Sequence, residues 1–548
     1  MESQRSLLFI ALLVVSYLLF NQWQSDKAPK RQEVTSTPSV EKSINNSDFI
    51  PQASEQNSPQ SIKTSTISHM IDVKTDVLEL KINTQGGDVV EAKLLKYNTQ
   101  LNNGIPFTLM HNGTFTYIAQ SGLIGTNGLD QIIAGRPIYK TKQIQYTLAE
   151  NQQELIVDLI YQDQNALSVT KRFTFLRNGY SVKIDYIINN NSAKNATVQL
   201  YGQLKQTIDV PKKSGMMPTS AYRGAAYATE EDRYNKYKFS DFEDEKLNTS
   251  TKGGWIAMIE HYFVSSWIPK DSGSNQLYSS YTQNGEAIIG FKEPALTIAA
   301  NNSATTSAVL YLGPKDIKEM AKIADGLDLT IDYGFLFMIS KPLFWLLTTI
   351  YSMVGNWGLA IIVITLIVKG GMYPLTKIQY TSMARMRELQ PKMAALKERF
   401  GDDRQKMSQA TMALYKKEKV NPAGGCFPLL LQMPIFLALY WVFLESIELR
   451  HAPFFLWIQD LSAMDPYYVL PVLMGISMFV MQKMQPVTVQ DPMQQKIMKY
   501  MPVVFSVFMA WFPSGLVLYW LVSNLISITQ MKIIFSGIEK KKQALEAS

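Results

Sequence analysis

Gly358-Leu359-Ala360-Ile361-Ile362-Val363-Ile364-Thr365-Leu366-Ile367-Val368-Lys369-Gly370-Gly371-Met372-Tyr373-Pro374 is the stretch on which the fold turns. Residues 359–368 are apolar apart from Thr365, and with their flanks at 355–374 they supply the roughly 20 residues that a helix needs to cross a bilayer. A cation then closes the run. A lysine near the bilayer midplane is disfavoured by about 2.5–3.5 kcal/mol on insertion scales, so Lys369 needs water, a partner or a task. Spacing alone gives equal weight to snorkelling toward the headgroups, because Lys377 follows only two turns later. Thr365 lies one turn before Lys369 on the same face.

Four further apolar runs follow, at 425–444, 467–484, 500–511 and 516–534, the last two separated by Phe512-Pro513-Ser514-Gly515. Gln432 interrupts the first of these, and Asn524 interrupts the last, beside Tyr519 and Trp520. Single polar groups in a bundle are often interhelical glue. Several of them together with an intramembrane cation point instead to a wet cavity, open to cytoplasm and lipid, that lowers the barrier for a polar segment entering the bilayer. Lys369 would attract acidic residues of that segment. No proton relay, nucleotide site, nucleophile or metal cluster is evident. The expected activity is therefore facilitated transfer without a covalent step, and neither a cofactor nor a metal is expected.

Between residues 369 and 421 there are twelve Lys/Arg against five Asp/Glu, which places this segment in the cytoplasm by the positive-inside bias. The net charge of +7 is thus that of a membrane protein, with no specific DNA binding implied. Within residues 378–420, Met386, Leu389, Met393, Leu396 and Phe400 form one helical stripe. Gly401-Asp402-Asp403 breaks it, and Met407, Ala410 and Leu414 continue it, predicting a cytoplasmic helical hairpin. Such a hairpin can simply pack on itself. With equal weight, an exposed surface containing Met386, Arg387, Met393 and Met407 would meet a nascent chain or a ribosome.

Upstream of the decisive run, residues 335–351 contain Lys341-Pro342 and read as a helix lying at the outer interface. Residues 69–330 change period from helical to two. Leu167, Val169, Phe173 and Phe175, then Asn178-Gly179, then Val182, Ile184, Tyr186 and Ile188 form the strongest hairpin signal in the chain. Many short strands follow, predicting an antiparallel β-sandwich closed by a helix over 317–324. His261 is expected on the outer face of a strand. The single cysteine, Cys426, excludes an intrachain disulfide, so a core must hold the sandwich together.

Residues 24–68 are polar and expected to form a flexible tether. Residues 1–23, with Arg5 before the apolar run 7–20 and Trp23 after it, read as an uncleaved membrane anchor; a cleaved signal peptide is the alternative. The total is six transmembrane helices. An even count puts both termini on one side. Lys532, Lys540, Lys541 and Lys542 in the basic tail that continues from 535 to 548 make that side cytoplasmic, and residues 24–354 external.

Val354-Gly355-Asn356-Trp357-Gly358, Met372-Tyr373-Pro374-Leu375-Thr376-Lys377, Gln432-Met433-Pro434-Ile435-Phe436, Asp491-Pro492-Met493-Gln494-Gln495-Lys496 and Phe512-Pro513-Ser514-Gly515-Leu516 occur in an order that resembles the YidC/Oxa/Alb family of membrane insertases in its Gram-negative form. The resemblance implies five core helices around a cytoplasm-facing hydrophilic groove, preceded by an anchor and a periplasmic sandwich, in the bacterial inner membrane. It implies insertion and folding of nascent inner-membrane proteins, alone or with the Sec translocon, with the ribosome, targeting factors and membrane lipids as further partners. Thr365, Gln432 and Tyr519 match groove positions. Lys369 stands where relatives hold an arginine, which keeps charge and loses the planar fork; Trp520 stands where relatives often have tyrosine. Two readings compete with the insertase: a solute transporter or channel with an external binding domain, and a periplasmic scaffold tethered by the helices. The five core runs contain no inverted repeat that would favour transport.

Overall fold

The computed structural model describes residues 49–52, 69–130, 135–162, 167–208, 222–270, 273–400, 403–418, 427–485 and 492–546. The anchor expected at 1–23 and most of the tether expected at 24–68 lie outside the described residues.

Alternation of apolar and polar residues builds the amino-terminal half. Strands Leu167–Leu176 and Ser181–Asn190 pair antiparallel, with Val169 opposite Ile188, Phe173 opposite Ile184 and Phe175 opposite Val182. Asn178 takes the left-handed conformation of the turn, with φ 56°. Around this hairpin an eight-stranded sheet forms. Its order is Asn235–Tyr237, Gly224–Ala228, Trp255–Ile259, Phe263–Pro269, Ser303–Pro314, Ser181–Asn190, Leu167–Leu176 and Glu154–Gln162. The larger sheet is centred on Ala196–Thr207, which pairs with Glu286–Lys292 on one side and Tyr117–Ile124 on the other. Their facing surfaces bury Phe173, Trp267, Leu204 and Phe291 in one core. Each such side chain contributes about 1.5–3 kcal/mol on burial.

One position breaks the apolar pattern. Lys171 alternates onto the core face opposite Tyr186 and is fully buried. Its ammonium donates to the carbonyls of Gly86 and Ser121 at 2.9 and 3.0 Å. Beside it, Arg136 is gripped by Asp88 at 2.7 Å and by Asp130. Two cations and two carboxylates thus share one buried cluster.

The sandwich ends in helix α1 (Ile317–Ile323), whose first N–H groups are capped by Asp316. Helices α2 (Phe337–Val354), α3 (Trp357–Gly371), α4 (Tyr373–Glu388), α5 (Gln390–Phe400), α6 (Arg404–Lys417), α7 (Phe427–Glu445), α8 (Val469–Met484), α9 (Pro492–Met509) and α10 (Ser514–Glu546) follow. By length and composition, Gly334–Val354 and Ser514–Lys540 can each cross a membrane, and α3 with α4 makes a third candidate bent by 66°. Met372 is the joint of that bend, between two glycines and Pro374, which has no N–H to continue the helical ladder. Helix α4 then lies on α10, burying Tyr380, Met383, Met386 and Leu389 against Met531 and Ile534. Helices α5 and α6 run antiparallel, with Lys392 at the start of one 2.6 Å from Glu418 just beyond the other. Helix α10 continues without a break through the basic segment to Glu546.

The sandwich is docked directly on the helices. Lys315 and Glu445 form a buried ion pair of 3.0 Å across the junction, and Trp255 and Tyr311 share an apolar cluster with Leu347 and Val442. Arg450, in the loop between α7 and α8, donates to the Asn98 carbonyl at 2.5 Å. His261 departs from expectation. It occupies the turn between strands Trp255–Ile259 and Phe263–Pro269, and its Nε2 lies 2.8 Å from the Leu444 carbonyl. Burial lowers its pKa to about 4, so the ring is neutral and serves as a domain contact.

Candidate functional site

Helix α3 carries Lys369 into the bundle two residues before it ends, and the Met372 bend turns the following helix aside. The lysine is 7% exposed. Its Nζ donates to Gln432 Oε1 on α7 at 3.1 Å and to Ser527 Oγ on α10 at 3.0 Å. Both acceptors are neutral, and among the described residues no carboxylate lies within ion-pair distance. An ammonium has three N–H groups; these two bonds leave one for water or a ligand.

Further polar groups lie around Lys369. Gln432 Nε2 donates to Ser523 Oγ at 3.3 Å, Asn524 Nδ2 donates to Ser477 Oγ at 2.9 Å, and Gln530 reaches the Lys369 carbonyl at 3.3 Å. Lys369, Gln432, Ser523, Asn524 and Ser527 line a cavity of about 230 Å³ together with Met433, Phe436, Met478 and Trp520. Trp520 is fixed edge-on by Phe436 at 4.4 Å and packed by Phe505 at 4.7 Å. The lining thus combines one cation and several hydroxyl and amide groups with methionine and aromatic side chains.

Lys369, Gln432, Tyr519, Trp520 and Asn524 are thus brought together as the sequence suggests. Thr365 is not. It is fully buried, and its hydroxyl donates to the Ile361 carbonyl one turn back at 2.6 Å, the usual resort of a threonine inside an apolar helix. Of the hairpin residues, Arg387 is exposed and Met393 partly so, whereas Met386 and Met407 are buried. The expectation of exposed methionines fails at those two positions, and at Met386 the reason is that α4 packs on α10 instead of projecting freely. Ser523, Ser527 and Gln530 escaped the sequence reading. Their spacing of four and three, one polar stripe on an apolar helix, was the available signal.

Together these features define a class: an integral membrane protein with a large extramembrane sandwich and a polar, cation-bearing cavity among its helices. Residues 70–346 match the family model of the YidC periplasmic domain, and residues 349–542 match that of the 60Kd inner membrane protein. The membrane protein insertase YidC of Shewanella sp. (strain MR-7) is 54% identical over 543 residues, covering 99% of both chains. That of Aeromonas hydrophila is 52% identical over 547 residues, again covering 99% of each. A solved structure described as active YidC insertase with the first transmembrane domain resolved covers 83% of this chain and 90% of its own at 20% identity and a TM-score of 0.37. The chain belongs to the YidC family of bacterial inner-membrane proteins.

Proposed function

We propose that this protein inserts and helps fold inner-membrane proteins, alone or beside the Sec translocon, by offering polar segments a hydrophilic groove that shortens their path through hydrocarbon. The observation that carries this reading is Lys369, a buried cation whose partners among the described residues are Gln432 and Ser527. A carboxylate from a passing segment would supply the missing counter-charge and leave again, because the interaction competes with existing neutral hydrogen bonds. Transfer of such a segment needs neither nucleotide nor covalent chemistry.

The charge distribution supports six spans with both termini cytoplasmic and the sandwich in the periplasm. The α2 helix fits a position along the outer interface, since Lys341 bonds Asp328 at 3.2 Å and Leu347 and Ile350 pack under the sandwich. The α5–α6 pair, on the basic cytoplasmic side with Arg387 at its base, suits contact with the ribosome, targeting factors or the emerging chain. Depletion of the protein, read by protease protection of a small two-span client in inverted vesicles, tests the reading. The client should stay unintegrated; integration at an unchanged rate in liposomes lacking the protein would contradict it.

A further inference from the structure

The larger sheet has a second face, turned away from the core, and residues 49–52 lie across it. These four residues fall within the stretch expected to be a flexible tether, yet Ile50 and Pro51 are buried. Ile50 packs with Ile124 and Tyr201, and the Phe49 ring lies 6.5 Å from that of Tyr278. Two donors hold the main chain: Gln203 Nε2 bonds the Phe49 carbonyl at 2.9 Å, and Lys292 Nζ bonds the Gln52 carbonyl at 3.0 Å.

The Gln203 donor is preorganised. Its side chain is fully buried, its Oε1 accepts from the Tyr278 hydroxyl at 2.8 Å, and its Nε2 also donates to Gln120 at 2.9 Å. Gln120 is in turn fixed on Asp88, the carboxylate held by Arg136. A Cβ on Gly290 would come within 2.5 Å of the Tyr278 ring, so the glycine keeps the place of that ring open. Beyond Lys292 the surface continues as a cavity of about 320 Å³ lined by Thr126, Gln199, Ser274 and Gln276.

The contacts define what fits. Both hydrogen bonds go to main-chain carbonyls, three residues apart, and the site offers donors. Proline, with no N–H to leave unsatisfied, suits the buried position between them. Ile124 and Tyr201 receive the aliphatic side chain, and Tyr278 lies beside the aromatic one. We propose that this face is a binding site for extended, aliphatic–proline-containing peptide segments, occupied in cis by residues 49–52 and yielded to an external segment of a client polypeptide. Attachment through the chain gives residues 49–52 a high effective concentration, so a free peptide competes poorly, whereas a client already held by the bundle competes on similar terms. The client as ligand rests on the insertase function proposed above; binding of an isolated peptide does not.

The test uses full-length protein in detergent micelles and a fluorescent peptide copying residues 46–54. Ile50→Asp should release the cis segment and tighten peptide binding about tenfold over the unaltered protein. Adding Lys292→Met or Tyr278→Phe to Ile50→Asp should weaken it again several-fold. Equal binding by Ile50→Asp and the unaltered protein, or indifference to both added changes, would overturn the site. A photoreactive residue at position 276 should crosslink the external segment of a stalled client, more strongly with Ile50→Asp. Peptide binding without that crosslink, while the client still inserts, would overturn the client as ligand and leave the peptide site standing.

Discussion

The sandwich and the helical bundle each bury lysines, in opposite chemical company. In the sandwich, Lys205 pairs with Glu286 at 3.1 Å, and Lys171, bonded to the Gly86 and Ser121 carbonyls, lies near enough to Asp88 and Asp130 to feel their charge. Lys315 at the junction pairs with Glu445. In the bundle, Lys369 has only a glutamine and a serine among the described residues. Burying a charge is tolerated when fixed opposite charge and hydrogen bonds accompany it, so the first three are parts of a folded structure. The fourth has no such carboxylate among the described residues, which is what the proposed groove would need in order to bind something that arrives and departs. Burial alone does not distinguish structural from functional cations; the surrounding fixed charge does.

The comparison is broken most forcefully at Lys171. Lys171→Met strips the buried Gly86 and Ser121 carbonyls of their donor and removes a cation beside Asp88 and Asp130, and thermal or chemical unfolding of the periplasmic domain should show a loss of about 3–5 kcal/mol. Lys369→Met, an apolar replacement of similar length, should change bundle stability by less than about 1 kcal/mol, because no fixed carboxylate is orphaned. Equal losses at the two sites would erase the distinction.

Lys315→Met should likewise destabilise docking of the sandwich on the helices by about 3 kcal/mol, since it strands Glu445. Adding Glu445→Met should recover most of that loss, as read by protease resistance of the junction; a double variant as labile as the single would show that the pair does not act as a unit.

A smaller, selective effect is expected in the groove. Lys369→Ala should reduce insertion of clients with acidic or polar external tails about tenfold, roughly 1.4 kcal/mol, and spare wholly apolar ones. Lys369→Arg should retain activity, because placement of charge matters more than the ammonium itself. Matched yields of both client types in the Ala variant would remove the electrostatic part of the account.

The smallest effect concerns Glu448, near the junction. Burial, with Asp316 nearby, pushes its pKa up to about 7. A carboxyl raised in the folded state adds stability below its ordinary value of 4.5 that is lost as pH rises through about 7. Glu448→Gln should therefore raise the melting temperature at pH 8 by a few degrees relative to pH 5. A shift of equal size at both pH values would assign the effect to packing.

Much of this contrast is legible in the sequence, unevenly. The hairpin at Asn178 is readable because side-chain period and turn chemistry agree there. Lys369 is readable because a charge stands out after a run of ten residues that is apolar apart from Thr365. Lys171 is hidden by the same logic: in a soluble strand a lysine at an inward position looks like an irregularity, and the carbonyls it bonds belong to residues 50 and 85 positions away. Thr365 misleads because sharing a helical face with Lys369 does not reveal that its hydroxyl bonds its own helix. The packing of Met386 on α10 depends on contacts between distant segments, which periodicity cannot specify. The docking of residues 49–52 is missed because composition averages over a long polar stretch and dilutes Phe49-Ile50-Pro51.

The most direct test asks whether the cavity around Lys369 is wet and used. With Cys426→Ser as background, Ser523→Cys is exposed to a membrane-impermeant charged maleimide from the cytoplasmic side, with and without a stalled client. The account predicts modification of the free protein and protection when the client is present. A cysteine there that stays unmodified in both states, or reacts equally in both, would contradict it.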